Sequence, residues 1–268
     1  MSQPFASRGL AWFQALAGSL APRPGDPASL RVADAELDGY PVRFLAVVPD
    51  PDNPFPRARQ GEVGLLEGWG LAAAVDEALE AAREAPRQRA LLAIVAVPSP
   101  ADGRRAEARG IHQALAGAGD AYARARLAGH PLIGLLGGKA MSGAFLAHGY
   151  QANRLIALHD PGVMVHAMGK AAAARITLRS VEELEALAAK VPPMAYDIDS
   201  YASLGLLWRT LPVETVEVPS TADLVRVRTC LGEALADILG GPRDRGGRRG
   251  AANREASARV RRLRREQW

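Results

Sequence analysis

Cysteine is almost missing from the 268 residues: there is one, Cys230. A lone thiol makes no internal disulfide, which excludes a disulfide-stapled scaffold and fits a reducing compartment. Aromatic residues make up 5% of the chain against 48% apolar residues in all, so aliphatic side chains must fill the core. No stretch reaches the roughly 20 uninterrupted apolar residues that a membrane-spanning helix needs. The opening stretch, MSQPFASRGLAWFQALAGSLAPRPGD, holds no basic segment followed by a clean apolar one and no secretory cleavage pattern, so a cytoplasmic protein is expected. No cluster of His and Cys has ligand spacing, and no metal is expected.

Net charge is +4, unevenly spread. From Pro242 to Trp268 ten arginines face Asp244, Glu255 and Glu266, so this tail carries about +7 and the rest of the chain about −3. The tail has Gly, Pro and Arg with few core-forming residues, the composition of a disordered segment. No aromatic residues interleave with the arginines as a single-strand-binding surface requires, so nucleic acid is not an expected partner. The expected organisation is one domain over residues 1–241 and a basic, disordered tail over 242–268.

Within the body, strand-like and helix-like stretches alternate. VRFLAVVPD at 42–50 reads as a buried strand stopped by a Pro/Asp cluster. Leu65, Leu66, Trp69, Ala72, Ala73, Val75, Ala78 and Leu79 recur at helical spacing. ALLAIVAVPSP at 90–100 is a second strand, a long helical stretch follows, PLIGLLGG is a third strand ending at Leu136, MSGAFLAHGY a helix and NRLIAL a fourth strand. This is the order of an α/β sheet with right-handed crossovers. Ser180 and Glu183 have capping-box spacing, VETVEVP at 213–219 alternates like a strand, and 221–239 reads as a helix with Gly240 at its end.

Glycine is concentrated where it costs most. The third strand runs into Gly137-Gly138-Lys139, and Ser142-Gly143 open the helix expected from Ala140 or Met141. The first amides of a helix have no internal partner, glycine admits a ligand oxygen to the backbone, and the helix dipole favours an anion. Two familiar motifs fail here. A Walker loop would need Gly at Ile133 and Ser or Thr at Ala140, and a nucleophile elbow would need Gly at Ala140 and Ala144. An oxyanion hole of backbone amides at Gly137, Gly138, Ser142 and Gly143 remains, and tight packing of small residues between helix and strand explains the same pattern. Two further helix starts are candidate substrate-binding points: Gly103 and Arg104 after the second strand, and His166 and Gly169 before AAAAR.

The run VAVPSPADGRRAEARGIHQALAGAGDAYARARLAGHPLIGLLGGKAMSGAFLAHGYQANRLIALHDPGVMVHAMGKAAAARI resembles the crotonase-type carboxyltransferases, with a strand ending in a Pro-rich loop, a long helix and a Gly-rich turn in that order. The strings GLAWFQAL, VVPDPDNPFPRARQGEVGLLEGW, GKAMSGAFLAHGYQANRLIAL, PGVMVHAMGKAAAARIT and VPPMAYDIDSYASLGLL are similar to gamma subunits of biotin-independent malonate decarboxylases, from about Ser7 to about Leu239. The resemblance implies a crotonase-like α/β fold of repeated ββα units, similar to the alpha-type half of acetyl-coenzyme A carboxylase carboxyltransferases. It implies pairing with a homologous beta subunit, with the active site at their interface. It implies decarboxylation of a malonyl thioester on an acyl carrier protein whose arm is a phosphoribosyl-dephospho-coenzyme A, with an alpha subunit exchanging acyl groups. No biotin is implied, and in place of the glycines that carboxyltransferases carry, this chain has Lys139, Ala140 and Met141. A noncatalytic scaffold for the beta subunit and a stand-alone hydratase or thioesterase are the alternatives. The latter needs an acid/base carboxylate, and the Gly-rich segment and its helix contain none.

Overall fold

The computed structural model describes residues 7–19, 21–85, 87–243 and 255–267. In chain order the elements are α1 (Arg8–Ala17), β1 (Leu30–Leu37), β2 (Tyr40–Val47), α2 (Leu65–Ala81), β3 (Ala90–Val97), α3 (Arg104–Glu107), α4 (Ile111–Leu127), β4 (Leu132–Met141), α5 (Ser142–Ala147), β5 (Arg154–His159), β6 (Met164–His166), α6 (Lys170–Ile176), α7 (Val181–Ala188), α8 (Ile198–Ser203), β7 (Arg209–Pro212), α9 (Thr221–Gly240) and α10 (Glu255–Glu266).

Six strands follow one another in the order β1-β2-β3-β4-β5-β7, and β6 pairs with β4 off that path. β1 and β2 form an antiparallel hairpin whose turn, Asp38-Gly39, has positive φ at both residues (50° and 73°), the geometry that matches strand twist. The remaining pairings are parallel. β3 and β4 are buried along nearly their whole length, as parallel strands covered on both faces must be. The long helices α2 and α4 cross closely: a Cβ on Gly68 would stand 2.8 Å from the backbone carbonyl of Ala114. α1 places the fully buried Trp12 and Phe13 in the core, and the Trp12 indole donates to the Val216 carbonyl at 2.9 Å. α9 adds Val227, Leu231, Ala234 and Ile238.

Several expectations from the sequence hold: the helices at 65–81, 181–188 and 221–240, with Ser180 and Glu183 closing a capping box, and the strands at 40–47, 90–97 and 154–159. Three do not. β4 does not stop at Leu136 but continues to Met141, because β6 supplies a pairing partner for Lys139–Met141. α5 accordingly starts at Ser142. The alternating segment 213–219 is not a strand. The buried Asp223 carboxylate takes the Glu214 amide at 3.1 Å from both oxygens, and the strand of this region is Arg209–Pro212. Within the tail, where no regular structure was expected, Glu255–Glu266 form α10, while residues 244–254 lie outside the described residues. α1 and β1 are elements that the reading of the sequence did not include.

Candidate functional site

The carboxyl end of β4 forks. Its first half is registered with β5 up to Leu136↔Ala157, its last three residues with β6 from Lys139↔Met164, and Gly137 and Gly138 have no registered partner on that side. Toward β3 the register jumps from Val95↔Leu136 to Val97↔Ala140, so Gly137, Gly138 and Lys139 bulge opposite Ala96 alone. A bulge of this kind re-aims a strand next to a site. Both glycines are buried. A Cβ on Gly138 would stand 2.9 Å from the Ala96 Cβ, and one on Gly137 would stand 3.5 Å from the Trp12 ring. They therefore lie inside the sheet and not in a turn at a helix start, and the small-residue packing weighed from the sequence is present at both. Arg8 closes the same corner. Its Nη1 donates to Asp160 at 2.8 Å, it pairs with Glu217, and its Cδ is 3.7 Å from the Gly138 Cβ position.

Ser142 and Gly143 open α5 and are half-buried. Ser142 has φ 54°, a left-handed conformation that costs a non-glycine residue about 1 kcal/mol or more and that clusters at functional sites. It is held there from both sides: Met141 before it is buried and registered with His166, and Ala144 and Phe145 after it are buried. The first amides of α5 have no carbonyl four residues back within the helix. Against Gly143 lies the loop after β3: a Cβ there would be 3.7 Å from Pro100 Cγ and 3.5 Å from Leu115 Cδ1. Pro100 is itself bridged to Val63, whose amide donates to the Ser99 carbonyl and whose carbonyl accepts from the Ala101 amide. The amide of Ala101 is thus engaged within the loop.

Gly103 and Arg104 are exposed at the start of α3, and nothing approaches within 4 Å of a Cβ on Gly103. Gly169, also exposed and without near neighbours, caps α6. His166 is half-buried, stacked on Tyr196 with centroids 3.9 Å apart and planes 10° apart. The Met168 amide donates to its Nδ1 at 3.3 Å, and burial pulls its pKa down, so the ring is a neutral group at pH 7. The structure brings Ser142, Gly143 and His166 to the carboxyl ends of β4 and β6. Gly137 and Gly138 lie in the sheet behind them.

Sequence reasoning missed Glu62 and Arg57 here. Glu62, half-buried in the loop before α2, has Oε2 buried without a hydrogen-bond partner, and burial pushes its carboxyl pKa up. Arg57 donates to Ser99 Oγ at 3.1 Å in the same loop cluster. Tyr196, 6% exposed, has a buried hydroxyl without a partner and borders a cleft of about 310 Å³ with Met164, Lys170, Leu184, Glu185 and Asp197. Only spatial proximity joins Glu62 and Arg57 to the start of α5, so no spacing signal could have found them. Among the described residues no group of three or more His, Cys, Asp or Glu is placed to hold a metal ion, and no helix is long and apolar enough to cross a membrane.

The family model for the malonate decarboxylase gamma subunit matches residues 58–268. The chain belongs to that family. This gamma-subunit chain is 95% identical, over 98% of its length and all of the other chain, to a chain of a Pseudomonas malonate decarboxylase hetero-tetramer in complex with coenzyme A, with a TM-score of 0.95. For a chain of the Pseudomonas malonate decarboxylase MdcD-MdcE hetero-dimer the identity is 92%, with the same coverage and a TM-score of 0.92. A curated relative from Malonomonas rubra, malonyl-S-ACP:biotin-protein carboxyltransferase MADD, is 36% identical over 154 residues, which are 56% of this chain and 53% of that protein. The gamma-subunit chain therefore matches about half the length of that relative. The transcarboxylase 12S, at 20% identity, a TM-score of 0.58 and 80% of this chain against 38% of the other, shows the fold alone. The crotonase-type α/β fold implied by the sequence resemblance is the fold of the gamma subunit.

Proposed function

We propose that this chain works as the gamma subunit of a malonate decarboxylase, paired with a homologous beta subunit, and that the pair converts malonyl-S-acyl carrier protein to acetyl-S-acyl carrier protein and carbon dioxide. The observation that carries the reading is near-identity, end to end, with a chain of a malonate decarboxylase assembly. The geometry agrees with the chemistry. Losing carbon dioxide from a malonyl thioester leaves an enolate, with charge building on the thioester oxygen as the bond breaks. Amides fixed in advance around that oxygen stabilise the charge without a nucleophile. The start of α5 offers such amides at Ser142 and Gly143 in a backbone already strained into place, and the bulge at Gly137 and Gly138 sets the direction in which β4 delivers them. Gly103, Arg104, His166 and Gly169 are the groups we assign to substrate binding, with neutral His166 paired across the strands with Met141, the residue before Ser142.

The coenzyme A complex of the Pseudomonas enzyme supports a coenzyme A-like thioester as substrate. We assign the carrier's arm as a phosphoribosyl-dephospho-coenzyme A, with no biotin and no metal in the step, and an alpha subunit as the acyl transferase that loads the carrier. The same reading places the assembly in the cytoplasm, in keeping with a single, buried cysteine.

The test is carbon dioxide release from malonyl-coenzyme A by this chain alone, by its beta partner alone, by the pair, and by the pair with Gly143→Pro. Proline removes one amide donor, and loss of one such donor lowers kcat by about 10²–10³-fold. Activity confined to the pair and reduced by that factor in an assembled mutant supports the reading. Full activity in the mutant pair leaves the chain a scaffold, and activity of the chain alone makes it a stand-alone enzyme.

A further inference from the structure

Decarboxylation needs a second event that backbone amides do not provide: the enolate carbon must gain a proton. The candidate site as built from β4, β6 and α5 offers a neutral imidazole, His166, with Nδ1 already accepting from Met168, and, stacked on that ring, the Tyr196 phenol, a weak acid whose pKa burial raises further. The loop cluster on the other side of Gly143 offers more. Pro100 stands between the two, bridged to Val63 on one side and 3.7 Å from the Gly143 Cβ position on the other, and Glu62 is the residue next to Val63. The Val63–Ser99 and Ala101–Val63 backbone hydrogen bonds, at 3.1 and 2.9 Å, fasten Glu62 to this loop.

Its carboxyl group is unusual for a half-buried one. Oε2 has no hydrogen-bond partner and no solvent exposure to speak of, a condition that costs free energy in the ionised form and less in the protonated one. Burial accordingly raises its pKa. That rise is opposed by the backbone amides of Glu62 and Gln60 and by the charge of Arg57, the charged group among the described residues whose field reaches it. Arg57 itself is turned to Ser99 Oγ at 3.1 Å, and does not form an ion pair with Glu62. A desolvated carboxyl without an ion-pair partner, at the carboxyl ends of parallel strands, is where α/β enzymes place functional acids. Of the other buried carboxylates, Glu67 is consumed by Ser29, Asn53 and the Gly64 amide, and Asp223 by the Glu214 amide and Arg226.

We propose that Glu62 is the acid that delivers the proton to the enolate carbon at this site. The inference rests on the decarboxylase reading above. The bond from the α-carbon to the carboxylate breaks, its electron pair passes into the enolate, and carbon dioxide leaves. The enolate carbon then takes the proton from the Glu62 carboxyl, forming a C–H bond and a carboxylate that regains its proton from water. No further reactant is needed.

The test uses the full chain assembled with its beta subunit, as wild type, Glu62→Gln and Glu62→Asp, assayed with malonyl-coenzyme A across pH 5–9 in light and heavy water. Gln is isosteric and neutral, so assembly at wild-type yield is expected. The acid must be protonated, so wild-type kcat falls as pH rises through its pKa. With Gln, kcat drops by about 10²–10⁴-fold with KM little changed, and that alkaline limb and the solvent isotope effect change with it. Asp restores part of the rate with the limb displaced. A Gln complex that keeps the wild-type alkaline limb and isotope effect, whether or not it is slower, overturns the assignment and makes Glu62 a brace for the loop. An inactive wild-type complex is a different failure: it removes the decarboxylase reading, and the assignment with it.

Discussion

His148 is fully buried, and both its ring nitrogens are committed. Nε2–H donates to the Ile94 carbonyl at 3.0 Å, and Nδ1 accepts from the Tyr122 hydroxyl at 3.0 Å. Burial lowers its pKa from 6.5 to about 4, because a charged ring has no solvation there. A group whose folded pKa lies below its unfolded value stabilises the fold in the neutral form. That stabilisation is whole above pH 6.5 and is lost as pH falls toward 4, up to about 3 kcal/mol for a shift of this size. Denaturant midpoints at pH 7.5 and 4.5 check it: His148→Gln is less stable at neutral pH and loses less on acidification than wild type, and equal losses would refute the assignment. None of this is legible in the sequence. Five histidines look alike there, and what singles out His148 is a carbonyl 54 residues back and a hydroxyl 26 residues back. Ser142 differs in kind. Its place between a strand and Gly143 made it a candidate from the sequence, but the positive φ that marks it as strained appears only in the structure.

Between α2 and α4 the contact is set by a glycine. Adding a Cβ at Gly68 puts it 2.8 Å from the Ala114 backbone, and a helix backbone cannot give way as a side-chain tip can. Gly→Ala inside a helix is otherwise worth up to about 1 kcal/mol of added stability. The clash wins at Gly68, where we expect Gly68→Ala to lose about 1–3 kcal/mol through forced separation of the helices. Gly240, the last residue of α9, has no atom within 4 Å of a Cβ, so Gly240→Ala should gain about 0.5–1 kcal/mol. Thermal melts of the two variants should therefore move in opposite directions. At this scale the sequence served best where an element depends on its own residues. The helical stripe from Leu65 to Leu79 and the Ser180–Glu183 capping box were both readable. It failed where an element depends on a neighbour. β4 runs on through two glycines because β6 pairs with its end, and 213–219 alternates like a strand although a buried aspartate has taken its amide.

At the scale of the whole molecule, the division between body and tail does not fall where composition changes. The sequence shifts to Gly, Pro and Arg at Pro242, yet Arg243 is tied into the body. The Asn153 side-chain amide, on a residue 1% exposed, donates to the Arg243 carbonyl, and Arg243 donates to the Gly129 carbonyl at 2.8 Å. Asn153 also accepts from the Leu132 amide at 2.8 Å, so it sets the first residue of β4, the strand that ends at the candidate site. Ending the chain after Gly241 strands the Asn153 donor in a buried place, at about 1–3 kcal/mol for an unsatisfied polar group. Ending it after Arg243 keeps both hydrogen bonds and removes nine of the tail's ten arginines. We therefore expect the chain ending at Arg243 to melt with the full-length protein, and the chain ending at Gly241 to melt several degrees lower, as a loss of that size implies for a protein of 268 residues. Equal melting of the two shortened chains would return the boundary to the composition change and leave the Asn153 contacts without energetic weight.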